Sequence, residues 1–113
     1  AFIEAVATSR QKKIVTLSSM LGSMTLNTTG GLYGYRASKA AVNAIMKSMA
    51  VDLAPRRVIA VALHPGWVRT DMGGRNAAVD IGESVAGMRS VIERLTMADA
   101  GCLIGYDGQM MPY

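Results

Sequence analysis

The sequence predicts an α/β fold in which a parallel sheet is covered by helices on both faces. Lys13–Ser18 and Val58–Leu63 are short, largely apolar and rich in β-branched residues, as buried strands are, and Gly101–Tyr106 is a third such segment. Between them, apolar residues recur at helical spacing. The resulting order of strand, helix, strand, helix, strand predicts parallel strands joined by right-handed crossovers.

The remaining segments follow from the same patterns. The first ten residues, Ala1–Arg10, are predicted to form the last part of a helix. A glycine-rich loop is predicted at Ser19–Gly34. The clearest helix covers Tyr35–Leu53, and an amphipathic helix over Glu83–Leu95 follows a loop at Thr70–Gly82. Three strands make a narrow sheet for this architecture. We therefore expect either that the chain is half of a larger fold or that a partner completes the sheet.

Composition excludes several classes of protein. Half of the 113 residues are hydrophobic and 18% are charged, which indicates a packed domain and not a disordered chain. The apolar runs are too short to cross a bilayer, and Ala1–Lys13 lacks the order of a signal peptide. The basic residues behind the net charge of +4 are scattered, which disfavours nucleic-acid binding. The single cysteine, Cys102, allows no internal disulfide and favours a cytoplasmic location.

Tyr35 and Lys39 lie four residues apart in the predicted long helix, which places them on one helix face. A phenol is a poor proton donor at neutral pH, and a nearby positive charge favours its ionised form. The pair therefore has the composition of a general acid/base unit. The alternative is a surface pair in which the lysine stem packs on the ring.

The predicted topology brings several polar segments to one edge of the sheet. Ser18–Ser23 follows the first strand, Pro65–Thr70 follows the second, and Tyr35 and Lys39 lie on the helix entered from the first loop. In open α/β sheets, ligands bind outside the carboxyl ends of the strands. A hydroxyl, a phenol and an ammonium group converging there predict a binding and catalytic cleft.

These segments resemble the C-terminal half of the short-chain dehydrogenases/reductases. The matching runs are Ile14–Ser19, Tyr35–Asn43 and Pro65–Thr70, and the resemblance covers essentially the whole chain. Gly30–Tyr35 and Tyr106–Gln109 are similar to the C-factor and sniffer-type carbonyl reductases. The resemblance implies a Rossmann-like, doubly wound sheet. It also implies hydride transfer between NAD or NADP and a small carbonyl or alcohol substrate.

The resemblance also implies roles for single residues. Tyr35 is expected to be the acid/base, Lys39 to lower the pKa of Tyr35, and Ser19 to hydrogen-bond the substrate oxygen. Ser19 is preferred to Ser18 because alternation along a strand directs the two serines differently. No metal ligand is expected. The residues expected to contact the cofactor are Tyr35, Lys39, Pro65, Gly66, Val68 and Thr70.

The glycine-rich phosphate loop of this family is missing from the sequence. The residue that selects NAD or NADP and the asparagine expected ahead of Ser19 are missing with it. We therefore expect residues 1–113 to form a single partial domain without the nucleotide-binding half, with little cofactor affinity of its own. The family resemblance implies homo-oligomers through a helix face of mostly small residues, which comprises Ala40, Ala44, Lys47 and Ser48.

Two other functions compete with the reductase. A binding or scaffold protein could keep the fold without catalysis. A serine hydrolase could use His64, but Gly82–Ala86 departs from the nucleophile elbow at Ala86, and no strand precedes it. A structural role beside Pro65 is favoured for His64. Four further side chains could line a substrate pocket or fill the core, namely Met20, Met24, Trp67 and Met72.

Overall fold

A four-stranded sheet forms the centre of the structure, a computed structural model that describes residues 2–113. The strands are β1 (Lys13–Leu17), β2 (Ile59–His64), β3 (Leu103–Gly105) and β4 (Met110–Met111). The α-helices are α1 (Phe2–Ala7), α2 (Tyr33–Leu53) and α3 (Ile81–Arg94). Short 3-10 helices cover Met20–Gly22, Ala54–Arg56 and Met97–Asp99.

The strand order is β1-β2-β3-β4, with the first three strands parallel and β4 antiparallel to β3. The predicted α/β fold and its strand–helix–strand–helix–strand order are confirmed. The fourth strand was not predicted. It forms because a turn at Asp107 and Gly108 folds the chain back, with the Gly105 N–H donating to Gln109 O at 2.8 Å.

Helices cover both faces of the sheet, as predicted, and β2 is buried along its whole length. Alternate β2 side chains point to opposite faces, because successive residues of a strand do. The α3 face of the core comprises Ile59, Val61, Leu63, Val91, Leu95 and Ile104. The α2 face comprises Ala60, Ala62, Met46, Ala50 and Leu103. The two alanines of β2 on the α2 face leave room for this helix to pack closely.

The long helix α2 begins two residues earlier than predicted, at Tyr33, and ends at Leu53 as predicted. Leu32 has φ 52° and ψ 40°, a left-handed conformation that does not continue a helix toward the N-terminus. At the other end, Pro55 has no backbone N–H to continue the α-helical bonding, and the chain tightens into a 3-10 turn.

Other boundaries also differ from the prediction. α3 begins at Ile81 because the Asp80 side chain accepts a hydrogen bond from the Gly82 N–H at 3.1 Å. β3 is shorter than the predicted strand, since Gly101 has φ 79° and lies in a turn. The predicted N-terminal helix ends at Ala7, and Ala1 lies outside the described residues. Within residues 2–113, no helix combines the length and the apolar character needed to cross a membrane.

Candidate active site

A cleft of about 750 Å³ lies where the chain leaves the carboxyl end of β2. Five of the predicted site residues line it, namely Tyr35, Pro65, Gly66, Val68 and Thr70. The other two, Ser19 and Lys39, do not line the cleft. Each lies beside a residue that does, Ser19 next to Leu21 and Lys39 next to Tyr35.

Tyr35 lies in the first turn of α2 and is 41% exposed. One helical turn further on, the Lys39 ammonium nitrogen is 5.8 Å from the centroid of the Tyr35 ring. This is the shared helix face that their four-residue spacing predicts. The ammonium group is close enough to interact electrostatically with the ring and with any charge on its oxygen.

The two serines after β1 are both buried but bond to different groups. The Ser18 hydroxyl donates to Asn43 Oδ1 on α2 at 2.6 Å. The Ser19 hydroxyl oxygen accepts a hydrogen bond from the Leu21 N–H at 3.1 Å and so caps the 3-10 helix. Among residues 2–113, the Ser19 hydroxyl donates to no protein group. Ser19 thus keeps a free donor, whereas the proton of Ser18 is already engaged.

The turn that carries Ser19 is packed directly on the backbone of α2. A Cβ atom on Gly22 would lie 2.6 Å from the Lys39 carbonyl carbon and 2.8 Å from the Ala40 nitrogen. Only glycine permits so close an approach. Together with the Ser18–Asn43 hydrogen bond, this packing fixes Ser19 relative to the helix that carries Tyr35. Sequence reasoning missed both contacts, because Gly22 and Asn43 show no local pattern that links them.

Trp67 and Met72 occupy the loop that follows β2, and both line the cleft. The loop is closed by a bridge between Val68 and Val79, and the Trp67 indole N–H donates to Gly73 O at 2.9 Å. Trp67 is 57% exposed and Met72 is 91% exposed, so neither is a core residue. Met24 lines a different hollow, beside α2, and Met20 lies on the surface.

Two polar groups in this loop have hydrogen-bonding capacity to spare. Within the described part of the chain, the Val68 N–H has no hydrogen-bond partner. The Thr70 hydroxyl accepts from the Gly73 N–H at 3.1 Å and donates to no group of residues 2–113. Both residues line the cleft, and neither donor is engaged by another group of the described residues.

Ser84 anchors the Pro65 turn to α3. Its hydroxyl is buried and donates to Pro65 O at 2.6 Å. Next along the turn, Gly66 has φ 85°, and a Cβ there would lie 2.8 Å from the Tyr106 ring. The turn is therefore held from two sides. The sequence analysis considered the Gly82–Ala86 segment only as a nucleophile elbow and missed this positioning role of Ser84.

His64 ends β2 and is buried. Its Nδ1 atom accepts a hydrogen bond from the Met20 N–H at 3.2 Å, which requires that nitrogen to be unprotonated. Burial lowers the pKa of His64, and the Asp107 carboxylate opposes that shift. These contacts agree with a structural role. They also argue against the hydrolase hypothesis, which requires a serine hydrogen-bonded to a histidine. Ser84 and His64 instead bond to separate backbone groups.

Side chains that could bind a metal are not clustered in the described part of the chain. Across residues 2–113, no three His, Cys, Asp or Glu side chains are grouped so that they could hold an ion. Cys102, the only cysteine, is partly buried, and burial raises the pKa of its thiol, which makes it less reactive at neutral pH.

Comparison with known proteins places these features in a family. A model of the short chain dehydrogenase family matches residues 1–80. C-signal of Myxococcus xanthus is 43% identical over 102 residues, which cover 90% of this chain and 61% of that protein.

Two solved structures are also similar. Carbonyl reductase Sniffer of D. melanogaster aligns with a TM-score of 0.91 and 39% identity over 98% of this chain and 48% of its own. NADPH-bound carbonyl reductase from chicken fatty liver aligns with a TM-score of 0.85 and 33% identity over 96% of this chain and 48% of its own. The chain thus spans about half the length of these reductases.

These matches confirm the Rossmann-like fold and the similarity to C-factor and sniffer-type reductases. The residues matched by the family model include Ser18, Ser19, Tyr35 and Lys39, together with Pro65–Thr70 after β2. The chain therefore belongs to the short-chain dehydrogenase family.

Proposed function

We propose that this chain supplies the substrate-binding and proton-transferring part of an NAD- or NADP-dependent carbonyl reductase or alcohol dehydrogenase. The observation that carries this proposal is the position of Tyr35. Tyr35 lines the cleft, and the Lys39 ammonium group lies beside its ring. Pro65 and Gly66, in the turn after β2, line the same cleft. A phenol, an ammonium group and a concave apolar site are the elements that acid/base chemistry on a bound carbonyl requires.

In this proposal Tyr35 transfers the proton. As the carbonyl carbon accepts a hydride, the Tyr35 hydroxyl donates its proton to the carbonyl oxygen, and an alcohol results. The Lys39 ammonium group stabilises the negative charge left on the phenol. The free hydroxyl proton of Ser19 donates a hydrogen bond to the same substrate oxygen. In the oxidative direction each transfer runs in reverse.

A bound nicotinamide cofactor supplies or accepts the hydride. The chain's own donors fit such a group, since the Val68 N–H and the Thr70 hydroxyl are both free to bond a carboxamide. Pro65 and Gly66 would shape the turn at the nicotinamide, and Lys39 and Tyr35 would bond the ribose. The NADPH bound to the chicken reductase supports the choice of a nicotinamide cofactor.

We propose further that residues 1–113 form one partial domain that works with a nucleotide-binding half, and that the isolated chain is inactive. Two observations support this. The chain spans about half of the reductases it resembles. Within the described residues, β1 pairs on one edge only, with β2, which leaves its other edge free for a further strand. A cytoplasmic location, inferred from the single cysteine, and homo-oligomerisation through α2 belong to the same proposal.

The test is an assay of the product of the complete reading frame that encodes this chain, with NADH and NADPH against a panel of ketones and aldehydes. Tyr35→Phe is expected to lower kcat by roughly 10²–10⁴-fold. Tyr33→Phe is the matched control, because Tyr33 is 85% exposed, lies in the same helical turn and does not line the cleft. Full activity of Tyr35→Phe would contradict the proposal. Cofactor binding without turnover of any carbonyl would favour the non-catalytic alternative.

A further inference from the structure

Arg36 directly follows Tyr35 in α2 but does not line the cleft. Residues 24–35 are all exposed, whereas Arg36 is half-buried. Since charged side chains usually stay in water, a partly buried one in an exposed stretch indicates a specific set of contacts.

The Arg36 guanidinium donates hydrogen bonds to four oxygen atoms. Three belong to the loop before α2: the Gly31 carbonyl at 3.0 Å, the Gly30 carbonyl at 3.1 Å and the Thr29 hydroxyl at 3.2 Å. The fourth is the Leu21 carbonyl at 3.4 Å, in the 3-10 turn that follows β1. No carboxylate of residues 2–113 forms an ion pair with it. The guanidinium therefore acts as a fork of donors that joins two separate segments to α2.

The loop segment bonded to the guanidinium has an unfavourable backbone. Gly30, Gly31 and Leu32 have φ of 68°, 67° and 52°, three successive left-handed residues. A leucine side chain disfavours that conformation, which persists only where the surroundings impose it. Within the described part of the chain, residues 28–31 form one other hydrogen bond, from the Gly30 N–H to Asn27 Oδ1 at 3.0 Å. The guanidinium thus makes every hydrogen bond that ties these residues to α2.

Both segments joined by Arg36 contribute a wall residue to the cleft. Leu21 and Leu32 line it together with Tyr35. Leu21 is bonded to the guanidinium directly, and Leu32 follows Gly31, which is also bonded to it. The position of these two wall residues relative to Tyr35 therefore depends on Arg36.

The groups proposed to react have anchors of their own. Close packing of Gly22 on α2 holds Ser19 against this helix, and Tyr35 is part of it. Loss of the Arg36 side chain is therefore expected to loosen the wall of the cleft without displacing the proton donor.

We propose that Arg36 is a positioning residue, whose guanidinium ties residues 28–31 to the turn after β1 and so fixes the cleft wall beside Tyr35 for substrate binding. The inference rests on the proposed function, because it assigns a role in that same cleft. Arg36 acts through Leu21 and Leu32 and does not touch the substrate. The role requires the planar fork as well as the charge, since four oxygen atoms must be reached at once.

Kinetics of the complete reading-frame product test this role, with the nicotinamide cofactor that it prefers and the carbonyl compound that it reduces fastest. If the ordered wall is occupied only about a tenth of the time in Arg36→Ala, KM rises about tenfold. The kcat is expected to stay nearly unchanged, because Tyr35 stays in place. Arg89→Ala is the matched control, since Arg89 is exposed on α3 and does not line the cleft. An unchanged KM in Arg36→Ala, or an equal rise in Arg89→Ala, would overturn the inference.

Two comparisons separate hydrogen bonding from charge. Arg36→Lys keeps the charge, but one ammonium group cannot reach four oxygen atoms, so its KM should match that of Arg36→Ala. Free guanidinium ion, far below denaturing concentrations, should lower the KM of Arg36→Ala because it restores the planar donors, whereas sodium chloride should not. A normal KM in Arg36→Lys would refute the hydrogen-bonding role, as would equal effects of the two salts.

Limited proteolysis gives a readout that does not depend on turnover. In Arg36→Ala, chymotrypsin is expected to cleave after Leu32 or Tyr33 at least about tenfold faster, because the population of the opened segment governs cleavage. Mass spectrometry locates the cut, and Arg89→Ala again serves as the control. Equal cleavage rates in the two variants would show that Arg36 does not hold the segment.

A second pair of variants keeps the inference falsifiable if Arg36→Ala fails to fold. Gly31→Ala places a methyl group on a left-handed residue, which opposes the backbone conformation that presents Gly31 O to Arg36. It is expected to raise both KM and the cleavage rate. Gly34→Ala, at a helical position with nothing within 4 Å of the added carbon, should raise neither. Equal effects of the two alanines would refute the role assigned to the loop segment.

Failure of this inference and failure of the proposed function are distinguishable. Faster cleavage of Arg36→Ala, combined with full activity of Tyr35→Phe, would refute the proposed function and support the role of Arg36 in holding the segment. Tyr35-dependent turnover, combined with unchanged KM and cleavage in Arg36→Ala, would do the opposite.

Discussion

The Ser18 hydroxyl donates a 2.6 Å hydrogen bond to Asn43 Oδ1, across 25 residues of chain. Both side chains are buried. Ser18 directly precedes Ser19, and Asn43 lies one turn beyond Lys39 on α2. The bond therefore joins the segment that carries the proposed substrate-binding hydroxyl to the helix that carries the proposed acid/base.

This bond is expected to contribute measurably to stability. Ser18→Ala leaves the buried Asn43 carbonyl oxygen without its donor, which costs about 1–3 kcal/mol of unfolding free energy. Asn43→Leu alone is expected to cost a similar amount. The double variant should lose less than the sum of the two, because neither partner is then left unpaired. Urea denaturation of the unsubstituted protein, the two single variants and the double variant measures the coupling energy between Ser18 and Asn43. Strictly additive losses of unfolding free energy would contradict the coupling.

The contact between Gly22 and α2 predicts opposite effects for two glycine substitutions. Gly22→Ala forces a methyl group against the Lys39 and Ala40 backbone and is expected to cost about 1–3 kcal/mol. Gly34→Ala is the control, because Gly34 lies in α2 with nothing within 4 Å of the added carbon. That change should stabilise the chain by about 0.4–1 kcal/mol. Thermal or urea unfolding decides, and equal effects of the two changes would refute the packing argument.

The lowered pKa of His64 predicts that the protein loses stability in mild acid. Burial lowers its pKa below the ordinary value of 6.5, so the unfolded chain takes up a proton first as the pH falls. The stabilisation is fully present above about pH 6.5 and declines as the pH falls from there toward the folded-state pKa. His64→Asn removes the titration but keeps an acceptor for the Met20 N–H. The unfolding free energy of the two proteins, compared from about pH 5 to about pH 8, should differ in slope. Parallel curves would exclude His64 as the cause.

The isolated 113-residue chain is expected to bind NADH and NADPH weakly or not at all. Its sequence has no glycine-rich phosphate loop, and the donors proposed for the cofactor would reach only its nicotinamide end. Titration calorimetry of the chain alone, beside the complete reading-frame product, measures the difference. Tight binding by the chain alone would contradict the assignment of the nucleotide site to a separate half.

If the chain associates through α2, a charge introduced on α2 is expected to disrupt assembly, whereas a charge on α3 is not. Ala44 is exposed in α2 and lies beside a hollow that Lys47 and Tyr113 also line. Ala44→Arg is expected to dissociate an oligomer built on this face, because bulk and like charge oppose close helix packing. Ala86→Arg, at an exposed position on α3, should leave assembly unchanged. Light scattering gives the mass of each protein, and a monomeric unsubstituted protein would refute this interface.

Local patterns in the sequence were sufficient to predict the α/β fold. Burial of β2 on both faces appears as an unbroken apolar run, and α2 appears as a long repeat at helical spacing. The shared face of Tyr35 and Lys39 follows from helical geometry alone. The family resemblance, carried by the same segments, is confirmed by the matching family and by the solved structures. The catalytic roles taken from it stay predictions.

Contacts between distant segments were decided only by the tertiary structure. β4 has two residues and exists because Leu103 pairs with Met111, a register that no local pattern encodes. The start of α2 depends on the left-handed Leu32, and the roles of Asn43 and Ser84 depend on which carbonyl or hydroxyl the folded chain brings to them. Periodicity determines which face of an element is apolar, because that depends on neighbours along the chain. Hydrogen bonds between elements depend on register and packing, which exist only after the sheet has formed.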